Sequence, residues 1–233
     1  MIGLGANKML IPKAIGEKLK LDILSVWELD ETSGVIAYDE VGNYDGVNNG
    51  ALINQIGRVN KCYYFDGIDN YINLGNVSLN SVTEVSWSFW LKRNVFTRYG
   101  GIFSKYDFDN KRCWAILQRA TDSSQIRILL SSDGIAYDII DFITSITNNV
   151  WIHIVITFNN GYLVFFENGE EIGNSVTTIQ SINNINTDAF IGRYGTNYTN
   201  GSIDQVGIWN RILTADEIST LYNLGEGLPY SNW

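Results

Sequence analysis

The stretch Trp151–Ile172, WIHIVITFNNGYLVFFENGEEI, constrains the fold of this chain more than any other. It holds two apolar runs rich in Ile, Val, Thr, Tyr and Phe, residues that fit a pleated, half-buried surface. Asn159-Asn160-Gly161 separates the runs and Asn168-Gly169 closes the second. Asn-Gly readily supplies the positive φ that a tight hairpin needs. Within Trp151–Phe158, the residues Ile152, Ile154, Ile156 and Phe158 share one face. The other face carries Trp151, Val155, Thr157 and the chain's only histidine, His153. A strand with one such oily face must lie against a second layer, and a second β-sheet is expected.

The rest of the chain repeats this grammar. Strand signals fall at Ser25–Asp30, Cys62–Phe65, Tyr71–Leu74, Val85–Lys92, Ile102–Lys105, Trp114–Arg119, Gln125–Ser131, Ala136–Phe142, Ala189–Gly192 and Ser202–Asn210. In Val85–Lys92, Trp87, Phe89 and Leu91 alternate with Ser86, Ser88 and Trp90. Turn residues such as Asp66-Gly67 and Asp133-Gly134 punctuate the strands, and Asp39–Gly50 reads as a looped excursion. Short strands at roughly ten-residue spacing indicate an all-β sandwich or jelly roll. One helix is expected, near the C-terminus. Thr214 and Glu217 form a capping box, Ile218, Leu221 and Tyr222 share a face, and Gly225 stands where a C-cap belongs. The helix is placed across an end of the sandwich. Residues 1–24 show no clear alternation and are set apart as an arm or linker, leaving 25–233 as one domain.

A formal net charge of −9 and only two prolines in 233 residues accompany seven Trp, thirteen Tyr and ten Phe. The acidity argues against nucleic acid and against docking on anionic lipid, both of which need basic patches. It is compatible with neutral partners such as glycans, or with a bound cation. No segment approaches the ~18 to 20 apolar residues of a membrane span, and the N-terminus lacks the features of a signal peptide. Cys62 and Cys113 are as compatible with two buried thiols as with a disulfide.

Several motifs, taken together and in order, resemble the laminin G-like (pentraxin-related) branch of the concanavalin A-like lectin/glucanase fold. They are Trp27-Glu28-Leu29-Asp30-Glu31, Tyr64-Phe65-Asp66-Gly67-Ile68-Asp69-Asn70-Tyr71-Ile72, Val85–Leu91, Ile102–Lys105, Trp151–Val155, Phe166-Glu167-Asn168-Gly169, Ser202–Leu213 and Ala215–Tyr222. The resemblance implies two antiparallel sheets packed face to face, a jelly-roll sandwich with one short C-terminal helix. It implies glycans, glycosaminoglycans or proteins as ligands, often with calcium, and enzymatic activity in a minority of relatives.

Glycoside hydrolysis normally needs two carboxylates about 5 to 10 Å apart. Glu28 and Asp30 come nearest, but related glucanases continue to a third acid, and here Thr32 and Ser33 follow. With His153 read as a hydrogen-bonded framework residue, no catalytic set emerges and the chain is expected not to be an enzyme. Calcium wants six to eight oxygens, and Glu28, Asp66 and Asp204 are the candidate ligands. The resemblance matches Asp109-Asn110 to the Asp-Asn pair of a calcium-binding loop, but the segment before Ser202 lacks the acidic second half. Glycan binding uses aromatic faces together with Asn and Asp side chains. Lys105–Arg112 and Arg193–Asn200 have that composition, and the resemblance places both at one end of the sandwich. The candidates are Tyr106, Asp109, Asn110, Tyr194, Asn197 and Tyr198.

The expectation is therefore a noncatalytic, carbohydrate-binding domain for a cell-surface glycan. The setting expected is a phage virion appendage, made in the host cytoplasm, homo-oligomeric, and joined to other virion proteins through residues 1–24. A decoration protein making only protein contacts and an atypical glycosidase are the alternatives, with an extracellular or cell-surface location as the alternative setting.

Overall fold

The structure is a computed structural model that describes residues 13–79, 82–119 and 124–233. In chain order its elements are α1 (Lys13–Leu19), β1 (Ile23–Trp27), β2 (Ile36–Ala37), β3 (Gly46–Asn49), β4 (Leu52–Ile56), β5 (Lys61–Asp66), β6 (Tyr71–Asn73), β7 (Glu84–Val95), β8 (Gly101–Asp107), β9 (Lys111–Gln118) and β10 (Gln125–Leu130). There follow β11 (Asp138–Ile143), β12 (Trp151–Asn159), β13 (Tyr162–Glu167), β14 (Glu170–Val176), β15 (Ala189–Ile191), β16 (Arg193–Tyr194), β17 (Asn197–Tyr198), β18 (Asn200–Trp209) and α2 (Ala215–Tyr222). One sheet runs β14-β13-β12-β7-β18-β5-β4, with β1 also on β18, and the other runs β11-β10-β9-β8-β15-β6-β3-β2. Pairing is antiparallel apart from a single bridge of β17 to β8.

The opening hairpin folds as its residues dictate. Asn160 and Gly161, and again Asn168 and Gly169, all have positive φ, so β12–β13 and β13–β14 close through two-residue turns. Ile152, Ile154, Ile156 and Phe158 enter the core beside Trp87, Phe89 and Leu91 of the adjacent β7. The second sheet meets them with Phe103, Trp114, Ile116, Ile126 and Ile128. Trp114 joins the layers, its ring 5.5 Å from Trp87 and 4.6 Å from Phe103. Each large apolar side chain removed from water in this way contributes about 1.5–3 kcal/mol.

The outer faces of the two sheets differ, and this difference decides where function can sit. On the first sheet, Val26, Val155, Phe166 and Trp209 form a second apolar layer under Leu19 of α1, Ile218 and Leu221 of α2, and the tail residues Leu228 and Trp233. His153 lies in this layer, bonded through Nε2 to Ser88 Oγ at 2.9 Å and tilted against the Trp90 ring at 4.9 Å. Its burial depresses the imidazole pKa to about 3, so it stays neutral, as a framework residue. α2 therefore lies on a sheet face and not across an end of the sandwich. Its capping box is present, with Thr214 N–H donating to Glu217 at 2.8 Å. The C-cap is Asn223 in the left-handed region, two residues before the expected Gly225.

The arm expected over 1–24 divides differently. Residues 1–12 lie outside the described residues, whereas 13–24 belong to the sandwich. The last carbonyls of α1, left open at a helix end, and the carbonyl of Leu21 just after it accept side-chain donors from β18 and beyond. Trp209 Nε1 donates to Leu19 O at 2.7 Å, and Arg211 donates to Lys18 O at 2.7 Å and Leu21 O at 2.8 Å. The Asp39–Gly50 excursion is likewise ordered, because the Asp39 carboxylate accepts the backbone N–H groups of Val26, Val41, Asn43 and Tyr44. Cys62 on β5 and Cys113 on β9 are both buried and free, one in each sheet. Burial pushes the Cys62 thiol pKa up to about 11.

Candidate functional site

The outer face of the second sheet has no helical cover among the described residues. Instead the short hairpin β16–β17 lies across it. Ser104 Oγ donates to Arg193 O and Thr199 Oγ1 to Gly101 O, both at 2.7 Å. Gly101 makes this approach possible, since a Cβ there would lie 2.1 Å from the Arg193 carbonyl carbon. Seated in this way, Tyr194 packs on Ala115, Leu117 and Leu129, which point away from the main core. Its ring lies 5.0 Å from that of Tyr106 and 5.3 Å from that of Phe108, which folds up from the β8–β9 turn. Gly195 leaves room for this contact, because its Cβ would fall 2.1 Å from the Phe108 ring.

The hairpin divides the face into hollows. An apolar one of about 330 Å³ has Leu117 and Leu129 at its base, with Tyr99, Phe108, Tyr137 and Tyr194 around it and Arg127, Ile139 and Asn197 at its lip. A polar one of about 540 Å³ lies on the other side of Phe108, lined by Asp107, Lys111, Asp188, Arg193 and Thr196. Beyond Asp188 a third, of about 440 Å³, continues over Tyr71, Asn73 and Asn49. Together they form a groove running across the sheet. Phe108 and Tyr137 remain 50% and 42% exposed, so the groove presents aromatic surface to a ligand.

Its two arginines are held in place. Arg127 meets both Asp141 oxygens at 2.8 and 2.9 Å, and Arg193 lies over the rings of Phe190 and Tyr71 at 4.6 and 4.8 Å. Burial raises the phenol pKa values of Tyr106 and Tyr194, which keeps both hydroxyls protonated and able to donate and accept.

Of the residues singled out in the sequence, Tyr106, Tyr194 and Asn197 come together here. The two tyrosines are buried at 4% and 8% exposure and support the groove from beneath. Tyr198 lies on the far side of the hairpin, 6.3 Å from Tyr71. Asp109 is exposed at the β8–β9 turn, where its N–H donates to Asp107, and Asn110 holds that turn with φ of 58°. The two loops thus meet on a sheet face, not at one end of the sandwich. Phe108, Tyr137 and Arg193 were missed. Phe108 and Arg193 lie within the two loops named above, and only Tyr137 stands in a separate segment, as a single aromatic ahead of β11.

The candidate metal ligands do not gather. Glu28 accepts the Tyr230 N–H at 2.7 Å, Asp66 accepts the Ile68 N–H at 2.8 Å, and Asp204 accepts those of Arg58 and Val59 at 2.7 and 2.9 Å. Asp204 Oδ1 is buried without a partner, and burial raises this carboxyl's pKa well above the usual range. Backbone N–H donors surround it, where calcium would need several more oxygens. Among the described residues no three His, Cys, Asp or Glu side chains form a metal-sized group. These residues do not fit a calcium site. Asp30 accepts the Lys61 N–H at 2.8 Å, so it and Glu28 both serve as anchors for backbone.

A further hollow of about 380 Å³ exists on the first sheet where the helices leave it free, between Gln55, Tyr64, Lys92 and Ser202. No helix among the described residues is long and apolar enough to cross a membrane.

Comparison with solved structures finds the same fold. The receptor-binding domain of botulinum neurotoxin C/D mosaic serotype is 18% identical with a TM-score of 0.65, over 86% of this chain and 51% of that one. Domain 4 of AbnA, a GH43 extracellular arabinanase from Geobacillus stearothermophilus, solved in complex with arabinotriose, is 19% identical with a TM-score of 0.67, over 85% and 97%. The botulinum serotype D ligand-binding domain, solved with N-acetylneuraminic acid, is 16% identical with a TM-score of 0.65, over 86% and 50%. This chain therefore spans about half the length of the toxin domains. No curated protein matches the sequence. A laminin G family model, described as part of the concanavalin A-like lectin/glucanases superfamily, matches residues 66–219. The chain belongs to that family, as a two-sheet lectin-like jelly roll.

Proposed function

We propose that this chain is a noncatalytic carbohydrate-recognition domain that binds a cell-surface glycan along the outer face of its second sheet. One observation carries the reading. Helices and the C-terminal tail cover much of the first sheet's outer face with apolar contacts, while the second sheet's outer face holds a groove of aromatic rings and polar side chains. Aromatic faces match the C–H surfaces of sugars, and Asp, Asn, Thr and Arg match their hydroxyls. That two neighbours of this fold were solved with sugars supports the reading by analogy. The noncatalytic part is supported by the groove's acids. Asp188 is exposed and Asp107 half-exposed, and neither has the apolar surroundings that a glycosidase's general acid requires.

The test is a glycan array run with and without calcium on the native chain and on Phe108→Ala and Tyr137→Ala variants. Binding that the native protein shows and both variants lose supports the reading. Binding untouched by either substitution, or hydrolysis of the bound glycan, contradicts it. The setting proposed with it, a phage appendage meeting a host surface with other virion proteins as partners, rests on the sequence resemblance. Mass spectrometry of purified particles tests that setting, and absence of the chain from them would refute it.

A further inference from the structure

The apolar hollow has a base without a hydrogen-bonding group. Leu117 and Leu129 close it from below, Ile139 stands half exposed at its lip, and Phe108 and Tyr137 rise beside it. The polar side chains nearest the lip are engaged, Arg127 by Asp141 and Asn197 Nδ2 by the Tyr194 carbonyl at 3.4 Å. A sugar hydroxyl pressed onto Leu117 and Leu129 would lose its water and meet only carbon on those side chains, at a cost of roughly tenfold or more in affinity wherever no tyrosine hydroxyl of the wall reaches it. A methyl group in the same place gains about fourfold from burial. Across Phe108 the chemistry reverses, with Asp107, Lys111, Asp188 and Thr196 suited to a sugar rich in hydroxyls.

The juxtaposition of a hollow floored by two leucines with a polar one asks for a ligand of matching asymmetry. Resting on the carbohydrate-binding reading above, we propose that the glycan carries a methyl-bearing sugar, N-acetylated or 6-deoxy, whose methyl group enters the Leu117–Leu129 hollow while the adjoining sugar lies in the polar one. The shared chemistry is the methyl group, and matched sugars distinguish its two sources.

The experiment is calorimetric titration of the native chain with matched pairs. N,N′-Diacetylchitobiose against cellobiose reports on N-acetyl, and glycosides of L-fucose against L-galactose and of L-rhamnose against L-mannose report on 6-deoxy. The methyl-bearing member of at least one pair is expected to bind about tenfold or more tightly, the usual worth of such a group in an apolar pocket. Ile139→Ser, at a position 50% exposed, should reduce that preference severalfold with little change in melting temperature. Ile139→Ala, which removes apolar surface at the same lip without adding a hydroxyl, is a second variant with the same expectation. If the fully hydroxylated partners bind as tightly in every pair, or both variants keep the preference, the inference is overturned while carbohydrate binding stands. If no sugar binds here or on the array, both readings fall together.

Discussion

Replacing Phe108 by alanine tests the groove at its shared wall. Phe108 separates the apolar and polar hollows, and half of its surface meets water. A phenylalanine presents some 150–250 Å² in all, so about 100 Å² is free, of which a sugar ring stacked on one face would cover about half. At roughly 25 cal/mol per Å² that contact contributes about 1.3 kcal/mol, close to a tenfold loss of affinity on truncation. The folded state also loses the edge contacts to Tyr106 at 5.5 Å and Tyr194 at 5.3 Å. At about 0.5–1.5 kcal/mol each, these predict a fall in melting temperature of roughly 4–8 °C. Calorimetric titration with the best array ligand and a thermal melt on the same sample measure both quantities. A variant that melts lower as expected yet binds as tightly as the native chain would refute the assignment of Phe108 to the ligand. Its role would then be structural.

Other consequences follow from the framework. His153 has its pKa depressed from 6.5 to about 3 by burial, so below pH 6.5 the unfolded chain binds a proton that the folded one refuses. Stability from this group is present above pH 6.5 and is lost as pH falls toward 3, at up to about 1.4 kcal/mol per pH unit. Urea unfolding at pH 6.5 and 4.5 should show a loss of about 2–3 kcal/mol in the native chain that His153→Gln largely lacks. Equal losses in both proteins would contradict the burial argument. Gly101→Ala would place a Cβ against the Arg193 backbone and should unseat the β16–β17 hairpin. Loss of glycan binding in a protein that keeps its far-UV circular dichroism is the expected result. Retained affinity would show that the hairpin does not shape the site.

Much of the fold was legible because its signals are local. Asn160-Gly161 and Asn168-Gly169 each specify a turn within two residues, and the turns adopt the positive φ values they demand. Thr214 and Glu217 place a helix start in the same way. α1 escaped notice because Trp209 and Arg211, almost 200 residues away in sequence, hold its end. Strands β2 and β3 hid in Asn- and Gly-rich sequence that long-range contacts such as those of the buried Asp39 carboxylate organise. For the site, Tyr106 and Tyr194 were visible as aromatics in polar loops, but the rings that remain exposed were not. Phe108 sits in an Asp-rich turn and Tyr137 ahead of an edge strand, and each alone reads as an ordinary surface residue. The register of β8, β9, β10 and β11 brings them together, and no local pattern encodes that register.

The central claim is that ligand lies on the outer face of the second sheet. Chemical-shift mapping of the labelled protein on addition of the best array glycan measures this directly. The account predicts perturbations concentrated at Phe108, Tyr137, Arg193, Gly195 and Asn197, with His153 and the α2 residues silent. Perturbations centred instead on Gln55, Tyr64 and Lys92, in the hollow of the first sheet, would contradict it.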